Sequence, residues 1–434
     1  MRAFPKHPLR AIQWRVRQYF YRVSRKLKFI YFRGKVVVAQ HREISRLHNK
    51  KQISVVFFVI HESVWKYDSI YRLMMASDRF MPLIVICPYM DHGEDVMTRD
   101  MERAHNYFLD NGYNVVSSYN RNTKEWLDVR NDIDPDIVFF TNPHDITKDA
   151  FLITNFLDKL TCYTQYSFHV SDLNEVQYNQ LFHNLLWRFY CETPVHYQMA
   201  IEKSDIGAKN VRITGYPGVD KLLFPDDEVD DDWKISDRQV KRIIWAPHHT
   251  IEDSSTSELS WSCFLLYSQL MLDLLETYKG RIQICFKPHP ILRSKLERVW
   301  EKAAVDEYYQ SWETAQNGQL QESAYLDLFL TSDALIHDSG SFAAEYLCVD
   351  KPALFTVKNK AYRDTFNRFG KMALDHHYIA NNEADVVSFV DNLVSESADS
   401  KSAQRKLFIQ DYLIPISGVR ASETIFNNLL SDLS

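Results

Sequence analysis

The sequence predicts an α/β protein made of two parallel-sheet domains, and three observations carry that prediction. At 434 residues the chain is too long for one ordinary hydrophobic core. Short Val-, Ile- and Phe-rich runs alternate with longer stretches of helical apolar spacing, the pattern of strands joined by crossover helices. Midway, the acidic stretch from Pro225 to Asp232 interrupts that alternation.

The first element, residues 1–45, reads as a basic amphipathic arm. From Met1 to Lys35 there are eleven Lys or Arg and no Asp or Glu, so the remainder carries −17 against an overall −6. Trp14, Tyr19, Phe20, Tyr21, Phe29, Ile30, Tyr31 and Phe32 lie among those cations, a mixture suited to an anionic membrane surface. Each cation near such a surface is worth about 1 kcal/mol, so half of them suffice to hold the protein there. The acidic remainder argues against nucleic acid as the partner. No signal-peptide core is present, and the longest apolar runs, such as Ile53 to Ile60, are strand-sized, so no membrane span is expected. Cys87, Cys162, Cys191, Cys263, Cys285 and Cys348 form no C-x-x-C pair and read as buried thiols in a reducing compartment. The expected location is cytoplasmic, peripheral on the inner face of the cell membrane.

Residues 46–224 form the expected first domain, with strands at Ile53 to Ile60, Leu83 to Cys87, Asn114 to Val116, Ile137 to Phe140 and Val211 to Ile213. Helical spacing between them covers Asp95 to Leu109 and Ala150 to Leu160. Residues 225–236 are the acidic linker, its Asp run read as solvated. In the second domain, 237–395, alternation resumes through strands at Ile243, Ile282, Ala334 and Ala353. The tail, 396–434, ends in a helix from Ser422 to Leu433 expected to pack back across the two domains.

Three strands of the second domain each deliver a polar cluster at their carboxyl ends, where open α/β sheets place ligands. Arg242 to Trp245 leads into Ala246-Pro247-His248-His249-Thr250, and Ile282 to Phe286 into Lys287-Pro288-His289-Pro290. Ala334 to His337 leads into Asp338-Ser339-Gly340-Ser341 and then the helical pattern from Phe342 to Leu347. A helix start offers unpaired N–H groups and partial positive charge to phosphate oxygens. Ser339 and Ser341 add hydroxyl donors there, and Glu345 an acceptor for ribose hydroxyls. With only 11 glycines, and neither G-x-G-x-x-G nor G-x-x-x-x-G-K-[ST], the glycine-rich dinucleotide and P-loop nucleotide motifs are absent. A zinc site at His248, His249 and His289 is disfavoured, because adjacent histidines rarely reach one ion and no Cys or carboxylate completes the set. No framed Asp pair for Mg2+ occurs in the second domain, so no required metal or other cofactor is expected.

These motifs, in this order, resemble the CDP-glycerol glycerophosphotransferases that polymerise teichoic-acid-type backbones, over about two thirds of the chain. Gly215-Tyr216-Pro217-Gly218-Val219-Asp220 is similar to the family's GYPRND element, Ala246-Pro247 to APT, and Lys287-Pro288-His289-Pro290 to K-x-HP. Ser332 to Ser341 is similar to SDxLITDYSS, Lys351-Pro352 to the KP that follows it, and Gln165 to His169 to Q-x-WHG. Departures are Val170 after the histidine, loss of the GYPRND arginine around Gly218 and Val219, His248-His249 in place of the APTWR arginine segment, Gly340 for a serine, and Glu345 for Asp.

The resemblance implies a GT-B-like pair of Rossmann-type domains facing a cleft, with the acceptor on the first and the donor nucleotide on the second. It implies transfer of a polyol phosphate from a CDP-activated donor to a hydroxyl of a growing cell-envelope or capsule polymer, or a lipid-linked acceptor, with release of CMP. His169 would be the base from the opposing domain and His289, with Lys287, would offset charge on the leaving CMP. Asp338, Ser339, Gly340, Ser341 and Glu345 would hold the donor, and His248 or His249 would replace the missing arginine. The alternatives are a GT-B glycosyltransferase or epimerase using a nucleotide sugar, and a non-catalytic envelope-assembly protein.

Overall fold

Among the described residues, fifteen strands run through the chain, and thirteen of them make two sheets in which every neighbouring pair is parallel. The computed structural model describes residues 8–91, 93–226, 228–251, 261–322 and 325–434, with the side chains of 8–22, 25 and 26 outside the description. The side chains of most of the arm's expected cations and aromatics, from Arg2 and Lys6 through Arg22, Arg25 and Lys26, therefore lie outside the description. The chain divides into two units, the first comprising 1–167, 174–218 and 415–434 and the second 168–173 and 219–414.

In the first unit, helix α1 (Pro8–His48) opens with proline at its first position, where the missing N–H costs nothing. Its carboxyl end is held by Asp136, a buried carboxylate that accepts from Ser54 N at 2.7 Å, from Lys50 Nζ at 2.6 Å and from Arg46. Val36 and Leu47 of α1 are buried, while Val23, Leu27, Ile30, Tyr31, Val37 and Val38 are exposed. The sheet contains β1 (Ile53–Val59), β2 (Phe80–Ile86), β3 (Val115–Ser117), β6 (Ile137–Phe140), β7 (Leu160–Thr164), β8 (Arg188–Cys191) and β9 (Val211–Ile213), in the order β3-β2-β1-β6-β7-β8-β9. A small antiparallel pair, β4 (Tyr119–Asn120) and β5 (Glu125–Trp126), stands apart. Six of the seven residues of β1 are buried, as a strand covered on both faces requires. Phe57 stacks on Phe139 at 4.8 Å and packs against Trp65, Tyr67 and Tyr71.

Helix α2 (Asp68–Met75) and helix α3 (Glu94–Asp110) cover this core, and α3 matches the spacing read over 95–109. The helix expected over 150–160 does not form. Two short 3-10 turns, Asp149–Phe151 and Ile153–Asn155, lead into β7 instead, and all five residues of β7 are buried despite its two threonines. The closing helix, Ala421–Asp432, belongs to the first unit rather than lying across both. Its Ile425 and Leu429 join the core beside α2, and Asp432 pairs with Arg188 at 2.6 Å. Gly215, at φ +88°, makes that return path: a Cβ there would lie 2.7 Å from Pro415 Cγ.

The second unit contains β10 (Lys241–Ala246), β11 (Ile282–Phe286), β12 (Gly318–Leu320), β13 (Ala334–His337), β14 (Ala353–Thr356) and β15 (Tyr378–Ala380), in the order β12-β11-β10-β13-β14-β15. The winding direction reverses between β10 and β13, so the ligand crevice of an open α/β sheet falls at their carboxyl ends. Part of the segment expected as a solvated linker is a strap on this unit. Asp231 pairs with the buried Arg242 guanidinium at 2.9 Å, and Trp233 Nε1 donates to Thr331 Oγ1 at 2.9 Å. The buried cation recruits the acidic run, which is why composition alone misread it. All six cysteines are free and buried.

His337 and His377 lie fully buried with ring centroids 5.2 Å apart. Burial pushes His337 well below the usual imidazole range and His377 down to about 3. The unfolded chain takes up protons at these positions below pH ~6.5, whereas folded His377 does so only near 3, so this contribution to stability is lost as pH falls through that window. In His377→Asn, the dependence of unfolding free energy on pH between 6.5 and 5 should be flatter than in the wild type, by up to about 1.4 kcal/mol per pH unit. Urea titrations at each pH measure it, and parallel wild-type and variant profiles would contradict the assignment.

Candidate functional site

Prolines at 247, 288 and 290 end β10 and β11, because a proline has no N–H for the ladder. The freed strand ends are then stitched together. Lys287 N donates to Trp245 O at 2.8 Å and His289 N to Pro247 O at 3.3 Å. From the end of β13, Asp338 Oδ1 accepts from His248 N and Oδ2 from Cys263 N, each at 2.5 Å. Burial pushes the Asp338 carboxyl up to about 7. Both of its oxygens face backbone, so it braces the site, whereas the sequence reading had it facing the donor.

That brace brings three imidazoles together. The rings of His248 and His249 lie 4.2 Å apart, His249 and His289 4.3 Å, and His248 and His289 5.3 Å. One ring nitrogen from each lies within 4.8 Å of the others, so adjacent His248 and His249 do reach a common point. Burial holds His248 well below the usual range, His249 at about 4 and His289 at about 3, with Lys295 pushing each further down and Lys287 acting on His289. At neutral pH all three are therefore uncharged N–H donors, and local positive charge comes from the two lysines. Three nitrogens are enough for a metal, but no Cys, Asp or Glu joins the cluster among the described residues, and the nearby cations oppose a dication.

The turn after β13 differs from the expected helix start. The α-helical part is only Phe342–Glu345, followed by a 3-10 turn at Tyr346–Val349, so it supplies little macrodipole. What it offers is local: among the described residues no backbone carbonyl accepts from the N–H of Gly340, Ser341 or Phe342. Ser339 and Ser341 are half-buried, and Ser341 makes no side-chain cap bond. Glu345 is 1% exposed and accepts from Tyr325 OH at 2.6 Å, so a ribose would have to displace that phenol. Gly340 lies under Trp261, where an added Cβ would come within 2.1 Å of the indole.

Trp261 also links the turn to the His169 segment. Its ring stacks on Phe366 at 5.1 Å, and its Nε1 donates to Thr365 Oγ1 at 2.7 Å. Asp172 N donates to Thr365 O, and Asn367 Nδ2 to His169 O, both at 2.9 Å. Phe168 stacks on Phe369 at 5.4 Å. These contacts place residues 168–173, with a buried His169, in the second unit rather than in the expected first domain. Nothing local in the sequence marks Trp261 as part of this wall, since its contacts with Gly340, Thr365 and Phe366 come from distant parts of the chain.

The first sheet also has a pocket at its own reversal point between β1 and β6, lined by Ile60, Cys87, Thr141, Asn142, His144 and Phe182 among others. His144 Nδ1 lies 3.1 Å from Gln180 Nε2 there. The sequence reading passed over this histidine, although Thr141 to Asp145 follows β6 as polar clusters follow the strands of the second sheet.

A family model described as CDP-glycerol:poly(glycerophosphate) glycerophosphotransferase matches residues 187–431, more than half of the chain. The chain belongs to that family. It is thus a CDP-glycerol glycerophosphotransferase-like enzyme, and its two Rossmann-type units are GT-B-like. Compared with curated proteins, this glycerophosphotransferase has no match. Among solved structures it is similar to a variant of the wall teichoic acid polymerase TagF, with 13% identity over 95% of this chain and 97% of that one, at TM-score 0.59. The UDP-GlcNAc 2-epimerase from Neisseria meningitidis bound to UDP-GlcNAc shares 16% identity, covering 88% of this chain and 100% of that one, at TM-score 0.56. S. aureus MnaA with UDP shares 14% identity, covering 88% and 98%, at TM-score 0.54. At these identities the likeness is one of fold.

Gly340→Ala should displace the Trp261 ring and with it the wall joining the turn to His248, lowering turnover at least about 10-fold while the fold persists. Activity measured beside far-UV circular dichroism and tryptophan fluorescence checks this. Wild-type activity with unchanged fluorescence would refute it.

Proposed function

We propose that this glycerophosphotransferase moves a polyol phosphate from a CDP-activated donor to a hydroxyl of a growing cell-envelope or capsule polymer, or of a lipid-linked acceptor, and releases CMP. The observation that carries the reading is the gathering of His248, His249 and His289 with Lys287 and Lys295 at the reversal point of the second sheet, within the family-matched residues. The acceptor oxygen forms a bond to the phosphorus distal to cytidine, and the bond from that phosphorus to the bridging oxygen breaks, the electron pair leaving with CMP. His169 takes the acceptor's proton. His289 and His248 donate hydrogen bonds to the phosphate oxygens, Lys287 and Lys295 offset their charge, and the turn Ser339-Gly340-Ser341 adds N–H and hydroxyl donors. Glu345 receives the ribose once Tyr325 yields.

CMP should appear when the protein is given CDP-glycerol or CDP-ribitol with a polyol-phosphate primer, and a chelator should leave the rate unchanged. His289→Ala and His169→Ala should each lower that rate at least about 100-fold. Retained turnover in both would point to a non-catalytic role for the site. Release of a nucleoside diphosphate from a nucleotide sugar would replace this reading with glycosyl transfer.

The same reading places the protein peripherally on an anionic membrane surface, on the cytoplasmic side, through residues 1–35. Support comes from the charge of the arm and from the exposed Val23, Leu27, Ile30 and Tyr31 at helical spacing on α1. No helix among the described residues is long and apolar enough to cross a membrane. Deleting 1–35 should abolish salt-sensitive co-sedimentation with phosphatidylglycerol vesicles and leave turnover of soluble substrates within about 2-fold. Undiminished sedimentation of the truncated protein would remove the membrane role from the arm.

A further inference from the structure

Two of the three clustered imidazoles have one nitrogen already engaged, and both engagements have the same sense. Nδ1 of His289 lies 3.3 Å from the backbone N of Ile291. An N–H group only donates, so this Nδ1 carries the lone pair. Nδ1 of His248 lies 3.0 Å from Thr250 Oγ1. That hydroxyl oxygen accepts from Trp261 N at 2.9 Å and from Ser262 N at 3.3 Å, which uses both of its lone pairs. Its single proton is left for His248 Nδ1. In each neutral ring the remaining proton then sits on Nε2.

We infer that Thr250 is a positioning residue that locks His248 in the Nε2–H tautomer, and that with the Ile291 N–H acting likewise on His289 it makes the pair a two-donor site for a phosphate oxyanion. A metal requires the opposite arrangement, a lone pair on the ligating nitrogen and the far N–H donating to a carboxylate or carbonyl. Neither Nδ1 has such an acceptor. The carboxylate bonded to this loop, Asp338, is engaged by His248 N and Cys263 N, while Lys287 and Lys295 favour an anion. The reading of that anion as the donor's diphosphate rests on the proposed function. The tautomers themselves do not.

Long-range 1H–15N spectra of the full chain labelled at histidine report the tautomers directly, and inorganic pyrophosphate serves as the binding probe. His248 and His289 should both show the Nε2–H pattern. Thr250→Val should shift His248 toward Nδ1–H and weaken pyrophosphate about 10-fold, and Thr250→Ser should restore both. An unchanged tautomer and affinity in Thr250→Val would overturn the inference, as would tight stoichiometric binding of Zn2+ lost in His289→Ala. CMP release with His248 as Nδ1–H would overturn it and leave the proposed function standing. Nε2–H tautomers and pyrophosphate binding without turnover of any CDP donor would uphold it and remove the proposed function.

Discussion

The buried carboxylate of Asp338 is the constraint from which the rest of the candidate site follows. It stands at the end of β13 and accepts the N–H of His248, just past β10, and of Cys263, just before the helix Phe264–Thr277. The segments at His248 and Cys263 are thereby held at the point where the sheet reverses its winding. Burying a carboxyl costs free energy, and its proton affinity rises accordingly. The two backbone donors offset that cost and leave the imidazoles free to face a ligand.

A cluster of half-buried, uncharged histidines flanked by lysines suits the recognition of phosphate better than a cluster of imidazolium ions would. Several like charges in one small volume would repel one another and strain the loops that carry them. Neutral N–H donors keep the empty site stable, and the lysines provide the field that draws in an anion. When a phosphate arrives, its negative charge works against the burial that keeps the rings neutral. The site thus combines stability without ligand with strong donation when ligand is bound.

The two units solve different problems with one fold. In the first, a long basic helix is fastened to the sheet by the Asp136 carboxylate, and the last helix returns to complete the same core. In the second, aromatic contacts through Trp261, Phe366 and Phe369 bind the 168–173 segment to the turn after β13. The glycerophosphotransferase family match covers all of the second sheet and the end of the first.

From the sequence alone come the α/β class, the alternation that builds two parallel sheets, and the polar clusters after β10, β11 and β13. These are legible because hydrophobic periodicity and proline placement are local properties. The strand β7, the strap at 231–235, the unit to which residues 168–173 belong and the engagement of Glu345 by Tyr325 were decided only in three dimensions. Each depends on a partner brought in from another part of the chain, whether a covering face, a buried guanidinium, an aromatic stack or a phenol. The convergence of His248, His249 and His289 belongs to the same class: the sequence supplies three imidazoles at strand ends, and only the register of β10 against β11 and β13 brings them to one point.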